Sequence, residues 1–144
     1  MGNINIDKVG ILGVLGIIGS ITASFMGGWD MALQTLLLFM AVDYITGLIV
    51  AAVFKKSPKS EMGALDSKAG WKGLLKKGVT LLIVLVSAQL DRITGTEVIR
   101  NTVIIAYIVN EAISILENAG LMGVPIPDII RRAIEVLGKK DGDE

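Results

Sequence analysis

Four mostly apolar stretches, each about as long as a helix that crosses a bilayer, constrain this chain more than any other feature. They run from about Val9 to Gly28, Met31 to Phe54, Gly78 to Ile93 and Val98 to Leu116, with charged residues near their boundaries. A hydrocarbon core of about 30 Å takes roughly 20 helical residues, and inside it the backbone must satisfy its own hydrogen bonds. The expected fold is therefore all-α, a helical integral membrane protein of about four transmembrane helices. A mean hydropathy of +0.65 over 144 residues agrees. Residues 1–121 are expected to form the transmembrane domain, with a basic cytoplasmic loop over 55–77, and residues 122–144 a cytoplasmic amphipathic helix and charged tail.

The spans differ in character. In the first, the small residues Gly10, Gly13, Gly16, Ser20, Ser24 and Gly27 recur at three- and four-residue steps. One helical face is then open to close approach by another helix, although glycine is common in membrane helices generally. Residues near Ala23 make a poor cleavage site, which argues against a cleaved signal peptide. The second span carries Asp43 at an insertion cost of about 2.5–3.5 kcal/mol, offset by twelve Leu, Ile, Val and Phe residues at roughly 0.3–0.6 kcal/mol each. The fourth sets ten such aliphatics against Arg100, Asn110 and Glu111, and its sum comes out near zero. Its insertion then depends on neighbours, and a three-span arrangement is the alternative.

Seven lysines against Glu61 and Asp66 between Lys55 and Lys77 leave five positive charges. The positive-inside rule keeps that loop in the cytoplasm, with both termini on the same side. After Gly123, Pro125 and Pro127, the residues Ile129, Ile130, Ala133, Ile134 and Leu137 recur at helical spacing opposite Arg131, Arg132 and Glu135, which predicts an amphipathic helix from Asp128 to Leu137 ended by Gly138.

With no cysteine and no histidine, disulfides, thiol nucleophiles and Ser-His-Asp triads are excluded, and no metal or other cofactor is expected. Zero net charge argues against a nucleic-acid partner. The residues that carry functional weight are polar groups inside apolar spans. Asp43 and the helical face of Tyr107, Asn110, Glu111, Ser114 and Asn118 call for protein or water, as interhelical pairs (Asp43 with Arg100 or Tyr107), as pore lining, or as a proton relay. Gly13, Gly16 and Ser20 are the candidate contacts between copies. Lys68, Trp71, Lys72, Lys76 and Lys77 suit an anionic membrane surface, with the indole at headgroup level, or serve as a topological anchor alone.

Several stretches in order resemble the phage-lysis and toxin-secretion holin family. They are Met40 to Gly47 (MAVDYITG), Ser67 to Lys77 (SKAGWKGLLKK), Leu90-Asp91, Asn110 to Asn118 (NEAISILEN) and Gly123 to Pro127 (GVPIP) ahead of an amphipathic close. The resemblance covers about Met31 to Leu137. It implies a small multi-pass protein of the bacterial cytoplasmic membrane, without catalysis, that accumulates and then assembles into lesions. Through these a muralytic enzyme (an endolysin) or a toxin leaves at a set time, with no direct contact required. Four short helices cannot enclose such a passage, so a homo-oligomer in the lipid bilayer is expected. A small four-helix transporter also has an intramembrane carboxylate, and a membrane scaffold or holin antagonist would share the sequence features.

Overall fold

The computed structural model describes residues 6–142. As expected, the fold is all-α, with no strand among the described residues. The helices are α1 (Ile6–Phe25), α2 (Met31–Ile49), α3 (Ser67–Thr94), α4 (Val98–Leu121) and α5 (Asp128–Gly142). The first four are long and apolar enough to cross a membrane.

Each boundary has a local cause. Asp30 caps α2, its Oδ1 accepting from the Leu33 N–H at 2.9 Å. The far end of α2 widens into a π-helical turn, Val50–Phe54, and stops where Lys55 turns left-handed at φ 52°. The chain then folds back on itself: Ser57 N–H donates to the Gly63 carbonyl at 2.9 Å, and Ser60 Oγ donates to the Ala64 carbonyl at 2.7 Å. Asp66 caps α3 through the Lys68 N–H at 2.9 Å.

The basic stretch 55–77 is thus not one loop. The helix that carries the third span begins at Ser67 rather than Gly78. Trp71, Leu74, Leu75 and Val79 recur at three- and four-residue steps among the lysines, so this segment is amphipathic enough to continue the helix once Asp66 caps it. At 1.5 Å per residue α3 is about 42 Å long, so roughly its first eight residues extend beyond a hydrocarbon core of about 30 Å. Gly95 ends it in the left-handed conformation.

Helix α4 is central, packing against α2, α3 and α5. Its stripe Arg100, Ile104, Ile108 and Glu111 meets the stripe Leu33, Leu36, Met40 and Asp43 of α2, with Val84, Ser87 and Ala88 of α3 closing the third side. Leu33, Leu36, Val84 and Ile104 are almost completely buried. Helix α1 is tied on mainly at its end, where Gln89 Nε2 donates to the Phe25 carbonyl at 2.7 Å and Arg92 donates to that of Ser24. The rest of α1 is exposed apolar surface, as a lipid-facing helix requires.

Helix α5 does not end at Gly138 but runs through it to Gly142. Gly138 lies against α4, where a Cβ would stand 3.6 Å from Val109 Cγ1. The glycine expected to stop this helix is instead an interior residue of it, at ordinary contact distance from its neighbour. Glu144, at the end of the charged tail, falls outside the described residues.

Candidate functional site

Three helices each bring one charged side chain to the same level near the lysine-rich end of the bundle. Nζ of Lys77, from α3, donates to Oδ2 of Asp43 on α2 at 2.8 Å and to Oε2 of Glu111 on α4 at 2.5 Å. All three side chains are largely buried. Asn118, two turns beyond Glu111, donates through Nδ2 to Asp43 Oδ1 at 3.1 Å and to Thr46 Oγ1 at 2.9 Å. The stripes that build the core also carry these charges to it, since Asp43 follows Leu36 and Met40 at four- and three-residue steps and Glu111 follows Ile104 and Ile108 likewise.

Two carboxylates around one ammonium carry a formal charge of −1, which is costly in a low dielectric without water nearby. A cavity of about 530 Å³ supplies that access. Asp43, Glu111, Lys77 and Asn118 line its inner end. Lys59, Lys72 and Lys76 line it toward the segment between α2 and α3.

A second polar cluster holds the other end. Arg100 is buried, and its guanidinium grips Asp30 through two nitrogens, Nη1 to Oδ2 at 2.6 Å and Nη2 to Oδ1 at 3.1 Å. It also donates to the carbonyls of Met26 and Gly28, so the α1–α2 turn is fastened to α4. The Arg100 hydrogen bond holds the Asp30 carboxyl below the usual range for an aspartate, against the opposing effect of burial. Asp91 completes the cluster. Its carboxylate accepts from the N–H groups of Ile99 at 3.0 Å and Arg100 at 2.8 Å, capping α4 from the end of the preceding helix. Asp30 and Asp43 are 13 residues apart, about 20 Å of helix. The apolar core fills that interval, and no buried side-chain polar atom among the described residues lacks a partner.

The residues singled out from the sequence are placed as follows. Asp43 and Glu111 are brought together, but by Lys77 and not by Arg100 or Tyr107. Arg100 belongs to the other end, and Tyr107 packs half-buried against the apolar core one turn above Glu111. Asn110 and Ser114 line the cavity. Gly13 and Gly16 meet nothing within 4 Å at the position of an added Cβ, and Ser20 is exposed on the same helix.

Lys77, expected at the membrane surface, points inward instead, because at its register on α3 it faces α2 and α4. Lys72 and Lys76 also line the cavity, while Lys68 and Trp71 are exposed outside its lining. Tyr44 lies beside Gly70 and Gly73 of α3, its hydroxyl donating to the Gly70 carbonyl at 3.4 Å. Sequence reasoning missed the inward Lys77 and the capping role of Asp91. A signal existed for the first, since Lys77 falls four residues past Gly73 and three before Thr80, on one helical stripe with them.

Residues 20–139 match the model of the bacteriophage holin family. An uncharacterized protein of Clostridium perfringens strain 13 is 39% identical over 126 residues, covering 86% of this chain and 87% of its own length. An uncharacterized protein of Listeria innocua is 37% identical over 138 residues, covering 95% and 90%. A probable holin of Bacillus phage phi105 is 31% identical over 125 residues, 86% of each chain. No solved structure matches.

Proposed function

The chain belongs to the bacteriophage holin family, and from that premise we propose that it assembles into membrane lesions that release a muralytic enzyme or a toxin at a set time. It is a multi-pass protein of the cytoplasmic membrane. The observation that carries the proposal is the family match itself, because residues 20–139 include both polar clusters, the cavity, helices α2 to α4 and most of α5.

The geometry supports an assembly of many copies. Within one chain the space between α2, α3 and α4 is filled by Leu33, Leu36, Met40, Val84 and Ile104, and the cavity of about 530 Å³ is of a size that suits a small molecule. A folded enzyme needs a hole bounded by many chains. The open small-residue face of α1 offers one contact surface, and Asp43 and Glu111 offer charge for an aqueous lumen if the Lys77 bridge opens. The lysine-rich end, with Lys55 to Lys77, faces the cytoplasm by the positive-inside rule. Catalysis has no part in this reading.

Induced expression in bacteria together with a cytoplasmic muralytic enzyme tests it. Optical density should hold steady and then collapse after a delay. The one-sided access to Asp43 and Glu111 favours a small transporter as the second reading, for which growth would slow without enzyme release. A holin antagonist would likewise fail to lyse, and would delay lysis when expressed with an active holin.

A further inference from the structure

Over Ser67 to Lys77, α3 has two unlike faces. Trp71, Leu74 and Leu75 are exposed on one, at 62%, 46% and 53%, while Lys72 and Lys76 line the cavity on the other. Counting about 20 residues back from Thr94 for the hydrocarbon core puts its near edge at about Leu75. Trp71 then lies at headgroup level, and so does the mouth of the cavity.

The mouth is positively charged. Lys59, Lys72 and Lys76 line it, and among the described residues none has an ion-pair partner. The opposing carboxylate, Asp66, is engaged as the α3 cap. Ser57 Oγ accepts from the Lys59 N–H, which leaves its hydroxyl proton to donate into the same space. Leu48, Val50 and Leu65 add an apolar wall. A phosphate ion alone would satisfy the lysines and leave that wall without an occupant. A phospholipid matches both, with its phosphate on the lysines and its glycerol and first methylenes against the leucines.

We propose that this cavity is a binding site for the headgroup of an anionic phospholipid from the leaflet at the lysine-rich end, held by Lys59, Lys72 and Lys76. The site requires membrane embedding but not lesion formation, so the experiment below and the lysis assay fail independently.

The test uses the full chain in neutral detergent, titrated with phosphatidylglycerol or phosphatidylcholine, with retained lipids counted by native mass spectrometry. One phosphatidylglycerol should be retained with roughly tenfold preference over phosphatidylcholine. Lys72→Gln with Lys76→Gln should abolish that preference, whereas Lys68→Gln, one turn away and outside the cavity lining, should leave it intact. If the double variant loses helix content by circular dichroism, Lys59→Gln, outside any helix, should give the same loss. Equal loss in Lys68→Gln would reduce the effect to general surface charge and overturn the site. Displacement of the lipid by millimolar inorganic phosphate would make free phosphate the ligand and overturn the lipid assignment. Absence of any preference in the parent chain would overturn it outright.

Discussion

Lys77 joins Asp43 and Glu111, each 34 residues away in opposite directions along the chain, and so fastens α3 to both α2 and α4 with a single ammonium group. Removing one partner of a buried ion pair leaves charge uncompensated, at about 3–5 kcal/mol. The adjoining cavity moderates this, and Lys77→Met should cost about 3 kcal/mol. Adding Asp43→Asn and Glu111→Gln should recover most of the loss, because neutral groups no longer need the ammonium. Thermal unfolding of the purified variants in detergent measures both steps. A Lys77→Met protein as stable as its parent would mean the bridge holds nothing together.

At the other end, acid should loosen what Arg100 holds. Arg100 keeps the folded pKa of Asp30 below its unfolded value, so the stability from this pair is present above the ordinary aspartate pKa of about 3.9 and is lost as pH falls through the lower folded value. The melting temperature should therefore be flat in this respect from pH 8 to 5 and drop below about pH 4. Asp30→Asn keeps a good cap for α2 while removing the charge, and should flatten part of that acid drop. An unchanged acid profile in Asp30→Asn would show that other groups set it.

Hydropathy alone located the four spans, since their apolar runs are set by bilayer thickness and do not depend on which helix packs on which. The amphipathic period placed α5 for the same local reason. The partner of Asp43 was not legible, because pairing across helices depends on how α3 is rotated, and seven lysines within Lys55 to Lys77 are equivalent in composition. The early start of α3 was hidden by that same lysine content. Asp91 stood out in the sequence only as part of the Leu90-Asp91 element, yet its work is to cap α4 across the turn from Gly95 to Glu97, a relation only the folded turn creates.

The turn between α2 and α3 should depend on one glycine. At Gly63 φ is +70°, and an added Cβ would stand 2.3 Å from the Lys55 carbonyl oxygen, so both backbone conformation and space exclude a side chain. Gly63→Ala should open this turn and raise trypsin cleavage at Lys55, Lys56 or Lys59 roughly tenfold or more, as expected for about 1–3 kcal/mol of local strain. Gly78→Ala has open space within α3 and should be neutral or stabilising by up to about 1 kcal/mol. Equal cleavage in the two variants would contradict this account.

A bulky residue on the open face of α1 should separate folding from assembly. Gly16→Leu meets no neighbour in the single chain, so its helix content and melting should match the parent. If that face packs against another copy, cross-linked oligomers should become smaller and lysis should come later or not at all. Unchanged oligomers would leave the glycines as ordinary residents of a membrane helix.

Helix α5 should leave α4 when the protein enters a bilayer. Gly138 lies beside Val109, which is 11 residues from the start of α4, or about 16 Å along it and close to the middle of a 30 Å core. Docked there, Lys139 and Lys140 would lie deep in the core at about 2.5–3.5 kcal/mol each. On the other side, the docked face half-buries little beyond Ile134, and a fully buried side chain of that kind contributes about 1.5–3 kcal/mol. The charge cost is the larger, and a helix lying at the surface lets Ile129, Ile130, Ile134 and Leu137 reach hydrocarbon while Arg131, Arg132 and the lysines meet headgroups. Val109→Cys with Gly138→Cys should cross-link readily in detergent and poorly in liposomes of anionic lipid. Equal cross-linking in both would show that α5 stays on α4 and that its charges find water or protein at that depth.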